Sequence, residues 1–174
     1  MACDIVQGYE ILCRDSVGGI KEVYITEFEN VPQANITAAS GVISAISCNS
    51  GTKFYTYQLE RENAQYDNNQ VGSLENGTNF WESTLTFTMK KMSASMKNSL
   101  RVLSENRLMV IVKDANDVYW LMGQTRGVDL LSSTMTSGRA MGDLNGATLT
   151  FTGKEPAFDN QVTSSLISAL LTEA

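Results

Sequence analysis

From Phe80 to Met92 the chain alternates with period two. Trp81, Ser83, Leu85, Phe87 and Met89 take one side, and Glu82, Thr84, Thr86, Thr88 and Lys90 the other. That period predicts a long strand with one buried face. Its central letters, TLTFT at 84–88, return at 148–152. Both copies are expected to send Leu and Phe into a core and Thr to the opposite face. Threonines facing each other across strands are favourable neighbours, so the two copies are expected in one sheet.

Other segments carry the same signal. Residues 22–28 (EVYITEF) set Val23 and Ile25 against Tyr24, Thr26 and Phe28. Residues 41–47 set Val42, Ser44 and Ile46 against Ile43 and Ala45, and residues 53–61 set Phe54, Thr56 and Gln58 against Tyr55, Tyr57 and Leu59. All three read as strands, the last two joined by a turn around Asn49–Ser50–Gly51. Residues 108–112 (LMVIV) and 118–122 (VYWLM) flank KDAND as a hairpin. Both are apolar on both faces, so each must be covered twice, by a core on one side and by a helix or another subunit on the other.

The period changes at Ser93. Met92, Met96, Leu100 and Leu103, with Val102 beside them, fall at helical spacing and predict one packed helix over about 93–105, capped by Ser93 and stopped at Asn106. Val162, Leu166, Ile167, Leu170 and Leu171 predict a short amphipathic C-terminal helix within an arm at 160–174. Leu166, Ile167, Leu170 and Leu171 are its candidate docking residues, in this subunit or the next. Residues 63–79 are a polar tract rich in Asn and Gly, expected to be a long loop of functional or mobile character. A Gly/Ser/Thr-rich stretch fills 123–142, and Asn145–Gly146 marks the turn before the second TLTFT strand.

The chain has 174 residues, which suits one domain, and a formal charge of -6. A global attraction to nucleic acid is therefore excluded. The run Lys90, Lys91, Lys97, Arg101 and Arg107 reads as a solvated helix face. Cys3, Cys13 and Cys48 have no metal-binding spacing and are expected to be reduced thiols in a cytoplasm. No run approaches about 18 apolar residues, so no membrane partner is expected.

Candidate chemistry is sparse. The chain has no histidine, which removes Ser-His-Asp and Cys-His catalysis and every His-based metal site. Asp114 and Asp117 suit a hairpin turn. CNSGTKF looks like a phosphate loop but fails the spacing, and GRAMG fails as a dinucleotide fingerprint. No catalytic, cofactor or metal residue is expected, and no enzyme; a carboxylate-pair enzyme would need two acids converging in one cleft. Trp81, Trp120, Tyr55, Tyr57 and Tyr119 fall at core-like alternation, with a sugar-stacking platform as the alternative.

Together, the polar tract, NGTNFWESTLTFTMKKM, the single helix, LMVIVKDANDVYWLMG and GRAMGDLNGATLTFTGKEP resemble phage tail tube proteins. The likeness is to the small virion proteins of that kind in phages of Bacteroidetes-like hosts and spans roughly residues 50–156. The chain departs from the pattern at Asp117, where the related turn has Gly, and at Ala147, where an aromatic residue is common. The resemblance implies a mainly β fold, an antiparallel β-sandwich closing toward a barrel, with one helix outside it. It implies a homo-oligomer of stacked, hexameric rings in a virion, assembled in bacterial cytoplasm, through which DNA is ejected without specific binding.

Carried over to this chain, the loop from Asn63 to Asn79 would be the ring-stacking element, with Gln65, Tyr66, Asp67, Asn68, Asn69, Gln70, Leu74, Glu75 and Asn76 as its inter-subunit residues. The channel lining would comprise Thr84, Thr86, Thr88, Thr148, Thr150 and Thr152. Other tail or neck proteins would be partners. A neck, tail-terminator or capsid-decorating component and a glycan-binding β-sandwich are the alternatives.

Overall fold

The computed structural model of the protein describes residues 8–10 and 14–171. The expectations for Cys3 and Cys13 lie outside them. The fold is mainly β. Eleven strands are followed in chain order: β1 (Ile20–Glu27), β2 (Thr37–Ala39), β3 (Val42–Ala45), β4 (Tyr55–Gln58), β5 (Ala64–Ser73), β6 (Thr78–Lys90), β7 (Leu108–Asp114), β8 (Tyr119–Met122), β9 (Val128–Thr136), β10 (Gly146–Glu155) and β11 (Asn160–Val162). Helix α1 (Ala94–Glu105) follows β6, and the four-residue α2 (Ile167–Leu170) follows β11.

The strands form one mixed sheet in the order β2-β3-β11-β8-β7-β9-β10-β6-β5, with β1 and β4 branching from β7. It does not close into a barrel. Only a single residue pair, Leu108 with Val128, joins β7 to β9. The sheet therefore works as two layers hinged at that bridge: β9-β10-β6-β5 on one side, and the strands around β7 on the other. The 41–47 and 53–61 strands do not pair with each other, since β3 lies between β2 and β11 while β4 lies on β1.

The expectation that 108–112 needs cover on both faces is met inside one chain. Leu108, Val110 and Val112 join Val23, Ile25, Leu85, Phe87, Leu149 and Phe151 in a first core, to which α1 adds Leu100 and Leu103. Met109 and Ile111 point the other way, into a second core with Tyr24, Ile43, Phe54, Leu121 and Val162. Ile167 and Leu170 of α2 close that second core, with Leu166 and Leu171 packed beside them. The amide of Phe54 also donates to the carbonyl of Leu170 at 2.9 Å. The C-terminal docking residues thus sit on their own subunit. Val162 belongs to a strand and not to the helix. Each fully buried side chain of this size contributes about 1.5–3 kcal/mol.

Helix α1 begins as expected, with the Ser93 hydroxyl accepting from the Met96 amide at 3.1 Å. Met92 and Val102, grouped with the helix core by spacing, are instead 40% and 50% exposed. In the β7–β8 hairpin Asp117 has φ of 61°, the left-handed region that favours glycine. Its carboxylate meets Lys21 at 2.8 Å.

Residues 63–79 are not a loop. They are β5 and a tight turn, paired residue for residue with β6 from Ala64–Phe87 to Ser73–Thr78. Asn and Gln are poor strand formers alone, but β6 supplies a long template, and an edge strand tolerates polar side chains on its solvent face. Gly146 is required where β10 meets β6, because a Cβ there would collide with the Met89 carbonyl.

Candidate functional site

The two TLTFT segments lie side by side. β6 and β10 are antiparallel, with Thr84 opposite Thr152, Thr86 opposite Thr150 and Thr88 opposite Thr148. The register gives the repeat a local two-fold symmetry about the Thr86–Thr150 pair. Between the threonines, Leu85 faces Phe151 and Phe87 faces Leu149, all fully buried. The Phe87 and Phe151 rings stack at 5.6 Å. The hydroxyls bond across the strands, Thr88 with Thr148 at 3.1 Å and Thr86 with Thr150 at 3.4 Å.

This polar face widens across its neighbours. β9 places Thr134 opposite Thr148, and Ser132 opposite Thr150. β5 places Gln65 opposite Thr86, Asp67 opposite Thr84 and Asn69 opposite Glu82. Rows of hydroxyl, amide and carboxylate groups therefore cross four strands, and all six threonines remain half-exposed. Two lysines share the face, and each meets a carboxylate: Lys154 with Glu82 at 3.5 Å, and Lys90 with Glu60.

Neither edge of this four-stranded layer has a further strand partner among the described residues, and α1 packs beside β9. Among the described residues β5 pairs only with β6, and β9 beyond Val128 pairs only with β10. A bulge between Thr150 and Phe151 leaves Leu131 of β9 without a partner residue on β10 and 73% exposed. Met135 on β9 and Val71 on β5 are also exposed. Neither edge carries proline, and neither carries the lysines that often blunt such edges.

The sequence-based inter-subunit residues divide between two settings. Gln65, Asn69 and Gln70 are exposed along β5, with Asp67 half-exposed among them, while Leu74, Glu75 and Asn76 form the turn at its end. Leu74 is wholly exposed. Tyr66 and Asn68 turn inward. The Tyr66 hydroxyl donates to Asp159 Oδ2 at 2.7 Å, Ser83 Oγ donates to the same oxygen at 2.5 Å, and the Asn68 amide reaches the Tyr66 hydroxyl at 3.3 Å. Asp159 is buried, and burial holds its carboxyl above the usual carboxylate range despite these donors; nearby Glu155 adds to the rise. Glu155 itself accepts the backbone amides of Thr125 and Arg126 at 2.9 and 2.8 Å. These two acids brace the segment that crosses from β10 to β11. Asp159 had no signal in the sequence, since nothing places residue 159 beside residues 66 and 83 before the topology is known.

Trp81, Trp120, Tyr57 and Tyr119 are partly buried, whereas Tyr55, expected at a core position, is 60% exposed. Trp81 meets Phe158 edge-on at 4.9 Å, and Trp120 meets the same ring at 6.2 Å. Among the described residues no group of three or more His, Cys, Asp or Glu side chains converges to hold a metal ion, and no helix is long and apolar enough to cross a membrane. Cys48 is a free thiol whose pKa is pushed up by burial. Compared with known proteins, the chain matches no family model, no curated protein and no solved structure.

Proposed function

We propose that this protein is a structural component of a virion, of the tail-tube kind its sequence resembles. Copies close into a ring by adding the β5 edge of one to the β9 edge of the next. The observation that carries this reading is the four-stranded layer with a hydroxyl-rich face and two edges that lack strand partners. Unlike edges on one layer make a heterologous contact, and a heterologous contact that closes is a ring. Pairing satisfies the backbone groups of both edges.

With the apolar side of the layer committed to the subunit core, the threonine face is the side left to line a channel. Six copies of four strands give about 24 strands, and at about 4.8 Å between strands the ring is roughly 37 Å across, backbone to backbone. That accommodates duplex DNA. Neutral hydroxyls, with the lysines engaged by carboxylates, offer a polyanion few attractive stops, so DNA passes without being held.

The test is negative-stain microscopy and sedimentation of the purified protein beside an Asn69→Lys/Val71→Lys variant. Both substitutions lie on the exposed run of β5. Rings or tubes are expected for the parent and monomers with unchanged circular dichroism for the variant. A parent that stays monomeric at high concentration, or a variant that still forms rings, contradicts the reading.

A further inference from the structure

The chain contains two Asn–Gly steps, Asn76–Gly77 and Asn145–Gly146. At such a step the backbone nitrogen of glycine reaches the asparagine side-chain amide most easily, because no Cβ on the glycine shields it. The fold gives the two steps opposite surroundings.

Asn76 and Gly77 are both exposed in the β5–β6 turn. The Asn76 backbone amide donates to Ser73 Oγ at 3.3 Å. Among the described residues, neither the Asn76 side-chain amide nor the Gly77 N–H has a hydrogen-bond partner. Gly77 has φ of 61°, and nothing lies within 4 Å of the place a Cβ would take. Gly146, by contrast, is buried, paired in register with Lys90 of β6 on one side and Thr136 of β9 on the other. Asn145 is held twice: its backbone carbonyl accepts the Lys91 amide at 2.6 Å, and its Oδ1 accepts the Met92 amide at 3.4 Å.

We propose that Asn76 is a self-modification site, which deamidates in the folded protein through a cyclic imide while Asn145 is protected. The Gly77 nitrogen bonds to Asn76 Cγ, and its proton leaves with the side-chain nitrogen as ammonia. Water then opens the imide at either carbonyl, giving aspartate by one route and isoaspartate by the other. One water is consumed and one ammonia released, with no change of oxidation state. The product sets a second carboxylate beside Glu75, and isoaspartate adds a methylene to the backbone of a turn closed by the Ser73–Thr78 pair. The chemistry needs one subunit only, so it holds whether or not copies close into a ring.

Peptide mapping by mass spectrometry tests it, following both steps as the folded protein ages at mildly alkaline pH in water enriched in heavy oxygen, beside the same chain unfolded in guanidinium. In the folded protein Asn76 is expected to convert at least about tenfold faster than Asn145, because Asn145–Gly146 reacts only when the strands around it open. The new carboxylate should carry one heavy oxygen, and electron-transfer fragmentation should find isoaspartate in the product. Unfolding should erase the difference between the steps, since glycine follows each asparagine. Circular dichroism confirms that the aged protein remains folded. Equal rates at the two steps in the folded protein, a product without isoaspartate, or a difference that persists after unfolding would overturn the proposal. Rings that form or fail to form leave this outcome unchanged, so the two readings fail separately.

Discussion

The strands around β7 and the β9-β10-β6-β5 layer are built from similar residues and finished differently. In β7 every residue from Leu108 to Val112 is buried, and the two faces enter two separate cores. In β6, and in β10 from Ala147 onward, alternate residues are buried, and the other face keeps its threonines. Both faces of β7 are covered within one subunit, because α2 and the 31–54 segment cover the second, although β2 and β4 still end that region as edges. The layer differs in keeping a polar face between two longer strands, β5 and β9, that lack outer partners. Covered strands at the centre therefore say nothing about partners, whereas the layer's outer strands lack partners of their own.

Substitutions should separate the two faces of the layer by size of effect. Phe151→Ala removes a ring stacked on Phe87 in the first core and should cost about 3–5 kcal/mol in denaturant unfolding. Phe54→Ala, in the second core, should cost as much if that core is equally part of the subunit. A loss below about 1 kcal/mol for Phe54→Ala would mean that the second core adds little.

Asp159 ties the open layer to the crossing segment and gives an intermediate effect. Asp159→Ala leaves the Ser83 and Tyr66 hydroxyls without their acceptor and should cost about 1–3 kcal/mol. The pH dependence has a definite sign. The unfolded carboxyl titrates near about 3.9, and burial raises the folded value above that. The native state then takes up the proton more readily, so Asp159's contribution is full below the unfolded pKa and is lost as pH rises through the folded one. Glu22, Asp117 and Asp143 have lowered values and act in the opposite sense. The difference in denaturant midpoint between the parent and Asp159→Asn isolates the Asp159 slope: relative to the variant, the parent should lose stability as pH rises. A flat difference would place the carboxyl in ordinary solvent.

The smallest effect belongs to the threonine face. Thr86→Val with Thr150→Val removes one cross-strand bond and should shift stability by less than about 1.5 kcal/mol, with the subunit fold retained. A loss comparable to Phe151→Ala would make the face structural and leave nothing to assign to a channel.

The sequence carried strong signals where one residue type repeated at one period. The pairing of the TLTFT copies, the Ser93 cap and the 108–122 hairpin were all legible, because alternation, capping chemistry and turn residues are local. β5 and β9 were not. Their inward apolar positions are few, Ala64 and Tyr66 in one and Val128 and Leu130 in the other, and their strand character comes from the neighbours that template them. The same polar composition that hid them leaves their outer edges exposed. The C-terminal helix was legible as apolar, but whether it docked on its own subunit depended on the second core, assembled from residues more than 100 positions apart in sequence.

Edge-to-edge closure is tested most directly by peptide-resolved amide hydrogen exchange, comparing dilute with concentrated protein. The account predicts that concentration slows exchange together in β5, residues 64–73, and β9, residues 128–136, while β7 is unchanged. Exchange that stays equal in both strands while the protein assembles, or protection confined to the β2 or β4 edges, would contradict it.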